Sequence, residues 1–378
     1  MAYNNLMTNP SLDSLYYPSI GTPKDRLPTP ALLINLPALE FNLSFMSSYF
    51  LHKSTKLRPH FKTHKCPHIA KKQMEYGAIG ITCAKLSEAE VLIKAGILNV
   101  LIANQVVDPA KINRLAKLAG YGQLIVAVDQ LENLIQIAGA DNEAGTTVHV
   151  VIEVDVGLHR SGVQPGEPAL ELAKEACILP GIHFSGVLGY EGFTMFEVDR
   201  GVRSRNSQTA MSALLSTSDL IRGEGIPVEI VSAGGTGTYD TTGDIPGVTE
   251  MEVGSYVFMD TKYNQLGLDF KQSLTLIAMV TSIQAAGRSI IDAGLKVLTT
   301  DNGMPELITP DGLKLLNLNE EHGIVGVNPE KIRPEVGMYV EIIPSHACTT
   351  VNLHDRYYII QDDQLVDIWE ISGRGKSQ

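Results

Sequence analysis

Between residue 30 and about residue 268, short β-branched runs alternate with stretches of helical period, eight strands in all, and this rhythm limits the fold more than any other feature. The strand candidates are Leu57 to Lys62, Gly80 to Ala84, Val100 to Asn104, Leu124 to Asp129, Val148 to Val156, Phe184 to Tyr190, Glu229 to Gly234 and Glu252 to Met259. Helical patterns stand between them at Pro67 to Tyr76, Leu86 to Ala95, Pro109 to Ala119, Gln130 to Ala138, Pro168 to Cys177 and Gln208 to Gly223. Eight such units make either an open doubly wound sheet or a closed barrel, and periodicity treats the two alike. The polar residues separate them. Lys62, Asp155 with His159 and Arg160, Tyr190 with Glu191, and Gly234 to Gly237 all fall at or just beyond the C-terminal ends of different strands. Convergence on one rim is how a (β/α)8 barrel builds a site.

After residue 270 the helices drop out. Runs at Ser273 to Ala285, Ser289 to Asp292, Gly323 to Val327, Met338 to Ile343, Tyr357 to Gln361 and Gln364 to Glu370, parted by Gly, Pro and Asn turns, predict an antiparallel β domain. The expected division is a barrel over residues 30–268 and a β domain made of residues 1–29 plus 269–378. A barrel alone takes about 250 residues, so one barrel and one smaller domain account for the length.

The net charge of −12 repels polyanions, which argues against nucleic acid as a partner. The N-terminus has no charged-then-apolar signal pattern, and no apolar run approaches the roughly 20 residues that cross a bilayer, so a cytoplasmic protein is expected. Cys66, Cys83, Cys177 and Cys348 show no paired spacing, which fits a reducing compartment rather than a disulfide framework.

Three motifs carry chemistry. Arg58-Pro-His-Phe-Lys62-Thr-His-Lys65 crowds a lysine with Arg58, His60, His64 and Lys65, a setting that would oppose its protonation. A lysine free to act as an amine forms Schiff bases, and pyridoxal phosphate is the usual carbonyl partner; the plainer reading is a solvated basic face. Ser232-Ala-Gly-Gly-Thr-Gly-Thr238 follows the seventh strand, where barrels of this type commonly bind phosphate, although a tight turn explains the glycines equally. In Pro344-Ser-His346-Ala-Cys348, an extended backbone would put imidazole and thiol on one face, able to share a metal with positions left open; a buried cysteine beside a hydrogen-bonded histidine is the plainer reading. Glu153-Val-Asp155-Val-Gly-Leu-His159-Arg160 ends a buried strand with charge and is expected at the barrel mouth, each group alone being an ordinary surface pair.

These motifs occur in order from residue 27 to 376, together with Gly254-Ser-Tyr-Val-Phe-Met-Asp260, Asp292-Ala-Gly-Leu-Lys296 and Asp367-Ile-Trp-Glu-Ile-Ser372. As a set they resemble the D-threonine aldolases, within a wider group that includes D-serine and 3-hydroxyaspartate dehydratases. The resemblance implies a fold-type III pyridoxal phosphate enzyme, alanine racemase-like, with a divalent metal (zinc, manganese or magnesium) beside the cofactor and a homodimeric assembly. It implies that Lys62 carries the cofactor, that Arg160 faces its pyridine nitrogen, that Tyr190 lies near its ring, and that Gly235, Thr236 and Tyr256 hold its phosphate. His346 and Cys348 would bind the metal, with His346 counted among the catalytic residues. One departure stands out: where the resembling aldolases carry aspartate, this chain has Cys348, as the dehydratase branch does, and a thiolate favours zinc over manganese or magnesium.

The expected activity is retro-aldol cleavage of a D-3-hydroxy amino acid to glycine and an aldehyde. The alternative is dehydration of D-serine or 3-hydroxyaspartate to a 2-oxo acid and ammonia, with Lys62 removing the α-proton. A non-catalytic pyridoxal phosphate carrier is the third reading, weakened by the domain that follows the barrel.

Overall fold

The computed structural model describes residues 17–284 and 287–378; expectations for residues 1–16 and for the strand end at Ala285 lie outside the described residues. Strand β1 (Ala31–Asn35) leads into a helix, Leu36–Phe50, that the strand pattern of the sequence did not bring out. Its start is set locally: the Asn35 side chain accepts from Ala38 N at 3.0 Å, and Pro37 stands in the first turn.

Eight strands then form one parallel sheet: β2 (Lys56–Leu57), β3 (Ile81–Cys83), β4 (Asn99–Ile102), β5 (Gln123–Val128), β6 (Val148–Glu153), β7 (Ile182–Gly189), β8 (Ile230–Ala233) and β9 (Glu250–Met251). Their order is β2-β9-β8-β7-β6-β5-β4-β3, and the two ends meet, because Ile79 N donates to Leu57 O at 2.9 Å and Thr82 N to Pro59 O at 2.8 Å. The expected (β/α)8 barrel is therefore closed. Alternation along the strands sorts the core into two layers: Leu101, Ile125, Ala127, Val151 and Leu188 fill the barrel, while Val100, Ile102, Val126, Val150 and Ile152 pack outward under the helices.

Two strands differ from expectation. The first ends at Leu57, and Phe61–Thr63 form a 3-10 turn, so Lys62 stands on a turn above the strand. The last is Glu250–Met251 rather than Glu252 to Met259; there Phe258 N and Met259 N both bond back to Ser255 O, at 3.0 and 2.8 Å, and wind the segment into a turn.

The second sheet has nine strands: β1 with β10 (Leu274–Gln284), β11 (Arg288–Ile291), β12 (Glu306–Thr309), β13 (Leu313–Leu318), β14 (Gly323–Val327), β15 (Tyr339–Ile343), β16 (Arg356–Gln361) and β17 (Gln364–Glu370). It is antiparallel except where β1 runs parallel to β16, which makes it a mixed sheet. The strand Ala31–Asn35, just inside the expected barrel boundary, thus pairs in this second sheet, as do the bonds of Gly21 N to Leu365 O and Leu365 N to Thr22 O, each 2.8 Å. Strand β12 has exposed or half-exposed side chains and gave little hydrophobic pattern to read, whereas β13, not among the expected strands, buries Leu313, Leu315 and Leu318. Among the described residues no helix is long and apolar enough to cross a membrane.

Candidate active site

A cavity of about 350 Å³ opens at the C-terminal end of the barrel, lined among others by Lys62, Arg160, Tyr190, Gly235 and Thr236. Five of the residues expected from sequence therefore meet in one space. The Lys62 Nζ lies 5.7 Å from the centre of the Tyr190 ring, and the Arg160 guanidinium 5.6 Å from the same ring.

The setting of Lys62 is not the cationic crowd that the sequence suggests. Arg58 pairs with buried Glu250 at 2.9 Å, and Lys65 turns away, with a backbone φ of 51°, to meet buried Glu88 at 2.5 Å. Burial, helped by Lys62 and other cations, holds the His60 imidazole well below its usual range, and burial pushes His64 down to about 3. Both rings are neutral at pH 7. The turn bearing Lys62 is fixed by uncharged contacts instead: His60 Nδ1 accepts from Lys62 N at 3.3 Å, His64 Nε2 meets Gln73 Oε1 at 3.2 Å, and Tyr357 of the β domain donates its hydroxyl to His64 O at 2.7 Å. Among the described residues the Lys62 amine has no ion pair.

Across the cavity, the glycine loop is braced from below by buried Glu191. Its carboxylate accepts from Thr238 Oγ1 at 2.7 Å, Thr242 Oγ1 at 2.6 Å and Gly234 N at 3.2 Å. Gly234 has φ +78°, and a side chain there would collide with Met251, so the close turn needs glycine. Thr236 Oγ1 accepts from Tyr256 N at 3.0 Å, which ties this loop to the turn after β9. Among the described residues the N–H groups of Thr236, Gly254 and Ser255 have no protein acceptor, and all three residues line the cavity. Orphan amides converging in a cavity form a cradle for a phosphate. The Tyr256 side chain is not part of it: buried behind the loop, its hydroxyl accepts from Gln73 Nε2 at 3.1 Å, so only its backbone neighbours the cradle.

The charged end of β6 divides. Glu153 and Arg160 line the cavity, with Glu153 accepting from Ser161 Oγ at 2.7 Å and Gln105 Nε2 at 2.5 Å. Asp155 and His159 form a pair at 3.0 Å in which the His159 side chain is 83% exposed, an ordinary surface contact.

His346 and Cys348 come together, but not by the period of a strand. His346 is the residue preceding a single helical turn, Ala347–Val351, which Asp260 anchors to the barrel by accepting from Ala347 N at 3.1 Å. Asp301 meets His346 Nδ1 at 2.5 Å and leaves the other ring nitrogen for the Cys348 side. Burial alone would lower the His346 value, yet the Cys348 thiol and Asp301 outweigh it and push it up to about 9; burial opposes, but His346 brings the Cys348 thiol below its ordinary value. A carboxylate–imidazole pair beside a thiol fits a soft divalent metal with open positions. Among the described residues no set of three His, Cys, Asp or Glu side chains forms a metal cluster. Asp301 escaped the sequence reading, since nothing in Thr-Thr-Asp301-Asn-Gly distinguishes it from a surface turn.

A barrel lysine facing a phosphate cradle, beneath a β domain, defines the class: fold-type III pyridoxal phosphate enzymes. The model of the alanine racemase N-terminal domain matches residues 34–262, and that of the serine dehydratase domain residues 273–360. The chain belongs to this alanine racemase-like family, in its D-threonine aldolase-like group. A D-threonine aldolase from Arthrobacter sp. is 39% identical over 362 residues, spanning 95% of this chain and 96% of that protein. A D-threo-3-hydroxyaspartate dehydratase from Delftia sp. is 30% identical over 371 residues, 91% of this chain and 97% of that one. The crystal structure of D-threonine aldolase from Filomicrobium marinum superimposes with a TM-score of 0.92 at 35% identity, covering 96% and 99% of the two chains.

Proposed function

We propose that this protein is a pyridoxal phosphate- and divalent metal-dependent lyase that cleaves D-3-hydroxy amino acids to glycine and an aldehyde. The observation that carries the reading is the meeting of Lys62, on the barrel, with the His346–Cys348 pair on the β domain, through Thr63. The 39% identity to a D-threonine aldolase over nearly the whole chain supports it.

Bound pyridoxal phosphate would supply an electrophilic carbon for Lys62 and a ring that accepts the electron pair released at the substrate Cα. Lys62, Gly235, Thr236 and the N–H groups of the loop would hold it. A divalent cation on His346 and Cys348 would lower the pKa of a hydroxyl placed against it. The protein's own part is orientation. The glycine loop and Lys62 fix one end of the site, and His346 and Cys348 fix where the β-hydroxyl sits. Arg160, at the mouth beside Tyr190, is placed to meet an anionic group, and Tyr190 walls the space between them. A β-hydroxyl pinned from one side by His346 and Cys348 would fix which Cα bond is presented for breaking, and so would favour one outcome.

Dehydration is the second reading, favoured by Cys348 itself and by the 30% identity to a dehydratase. Incubation with D-threonine, D-serine and D-threo-3-hydroxyaspartate distinguishes them. Equal amounts of acetaldehyde and glycine from D-threonine, with no turnover of L-threonine, are expected. Dominant 2-oxobutyrate, or pyruvate and ammonia from D-serine, would overturn the aldolase assignment.

A further inference from the structure

We propose that Glu252, not Arg160, faces the pyridine nitrogen of the cofactor and shares a proton with it; this rests on the pyridoxal phosphate reading above.

The argument begins with the order of strands. In the barrel β9 lies between β2, which leads to Lys62, and β8, which leads to the Gly234–Thr236 loop. A cofactor bonded to Lys62 at its aldehyde carbon and cradled at its phosphate by that loop has its ring between the two tethers, over the end of β9. Glu252 is the first residue beyond β9, and it lines the cavity.

Period two puts Glu250 and Glu252 on the same inward face, one layer apart. The lower carboxylate is neutralised by Arg58 at 2.9 Å. The upper one is not: Ser232 Oγ donates to its Oε1 at 2.8 Å, and among the described residues its second oxygen has no donor and no cation within ion-pair distance. A half-buried carboxyl in the cavity wall with no cation beside it favours keeping its proton or gaining a positively charged partner. Burial, reinforced by Glu250 and opposed by the Ser232 hydrogen bond, Lys62 and Arg58, pushes Glu252 up to about 7. Lys62, the nearest amine, is committed to the aldehyde carbon once the cofactor is bound.

The other cavity groups are less suited. Both oxygens of Glu153 are occupied by Ser161 and Gln105. Arg160 has a side chain 57% exposed at the mouth, leaning on Glu153 at 3.7 Å, and a guanidinium cannot leave a proton on a ring nitrogen. A neutral Glu252 carboxyl meeting a neutral pyridine nitrogen passes its proton across, giving carboxylate and pyridinium with net charge unchanged. The ring is then the stronger electron sink, which a reaction through a carbanion at Cα requires.

The test is ¹⁵N NMR of the holoenzyme carrying pyridoxal phosphate labelled at the ring nitrogen, near pH 7. The wild type should show the pyridinium shift, Glu252→Gln should lose it, and Glu252→Asp, which keeps the carboxyl, should retain it. Arg160→Lys should leave the shift in place. A deprotonated nitrogen in the wild type, which is what a facing guanidinium would leave, or a pyridinium that survives Glu252→Gln, overturns the proposal. Where Glu252→Gln does not fold, the pH at which the pyridinium is lost decides: it should differ between the wild type and Glu252→Asp, and an identical value overturns the proposal. A wild-type protein that binds no cofactor fails the functional reading itself, and this proposal with it.

Discussion

The Cys348 Sγ lies 3.4 Å from the Thr63 Oγ1, so the residue adjoining Lys62 touches the thiol of the other domain across a sequence separation of 285 residues. Tyr357 reinforces the junction through its 2.7 Å bond to His64 O. Any shift of one domain against the other would change the distance between the lysine and the His346–Cys348 pair, and the site is therefore as precise as this interface.

Lys62 is expected to be the covalent attachment point. Borohydride reduction of the holoenzyme and peptide mapping should place the label on Lys62, and Lys62→Ala should abolish both label and turnover. Label on Lys65, the lysine already engaged with Glu88, would contradict the assignment.

Metal dependence should reside in the His346–Cys348 pair. Either residue changed to Ala should remove chelator-sensitive activity and leave cofactor absorbance intact, because Lys62 and the glycine loop belong to the barrel. Cys348→Asp exchanges a soft donor for a hard one and should move the activating metal from zinc toward manganese. Full activity after exhaustive chelation would remove the metal from the mechanism.

Removing Arg58 should cost about 3–5 kcal/mol of stability, since Arg58→Ala strands the Glu250 carboxylate inside the barrel. Urea denaturation followed by far-UV circular dichroism measures this. A loss below about 1 kcal/mol would mean that water reaches the pair and that the barrel floor is not dry.

Asp141 sets a pH dependence. It is fully buried, its Oδ1 accepts from Thr146 at 3.1 Å, its Oδ2 has no partner, and burial pushes its carboxyl up to about 6. From about pH 4 to about 6 the native state binds this proton more tightly than the unfolded chain, so stability falls as pH rises through that window and levels off above it. Asp141→Asn should flatten that segment of the Tm profile and raise Tm at pH 7. An unchanged profile would show that the group is solvated.

Much of the site was readable because its parts announce themselves locally. A glycine needed for φ +78° at Gly234, a lysine after the first barrel strand and a tyrosine directly after β7 are each tied to the barrel's own rhythm. What escaped was relational. Nothing in Met251-Glu252-Val253 distinguishes Glu252 from the paired Glu250 two residues earlier; only the position of Arg58, level with the lower carboxylate, leaves the upper one without a counter-ion. Asp301 was invisible for the same reason, since its importance lies in the imidazole 45 residues away.

The sequence alone determined the eight alternating strand and helix units and the β domain after them, because strand period, helix period and turn chemistry are properties of neighbouring residues, and the positions of its polar residues at strand ends pointed to one rim and to five residues of the cavity. The tertiary structure decided the rest. It paired Arg58 and Lys65 with buried carboxylates and left two imidazoles neutral, replacing the expected cationic crowd around Lys62. It also drew His346 and Cys348 together at the start of a helical turn and set them against Thr63. Charge compensation in a dry interior depends on which groups the chain brings within a few ångströms of each other, and that distance is set by packing, not by order along the chain.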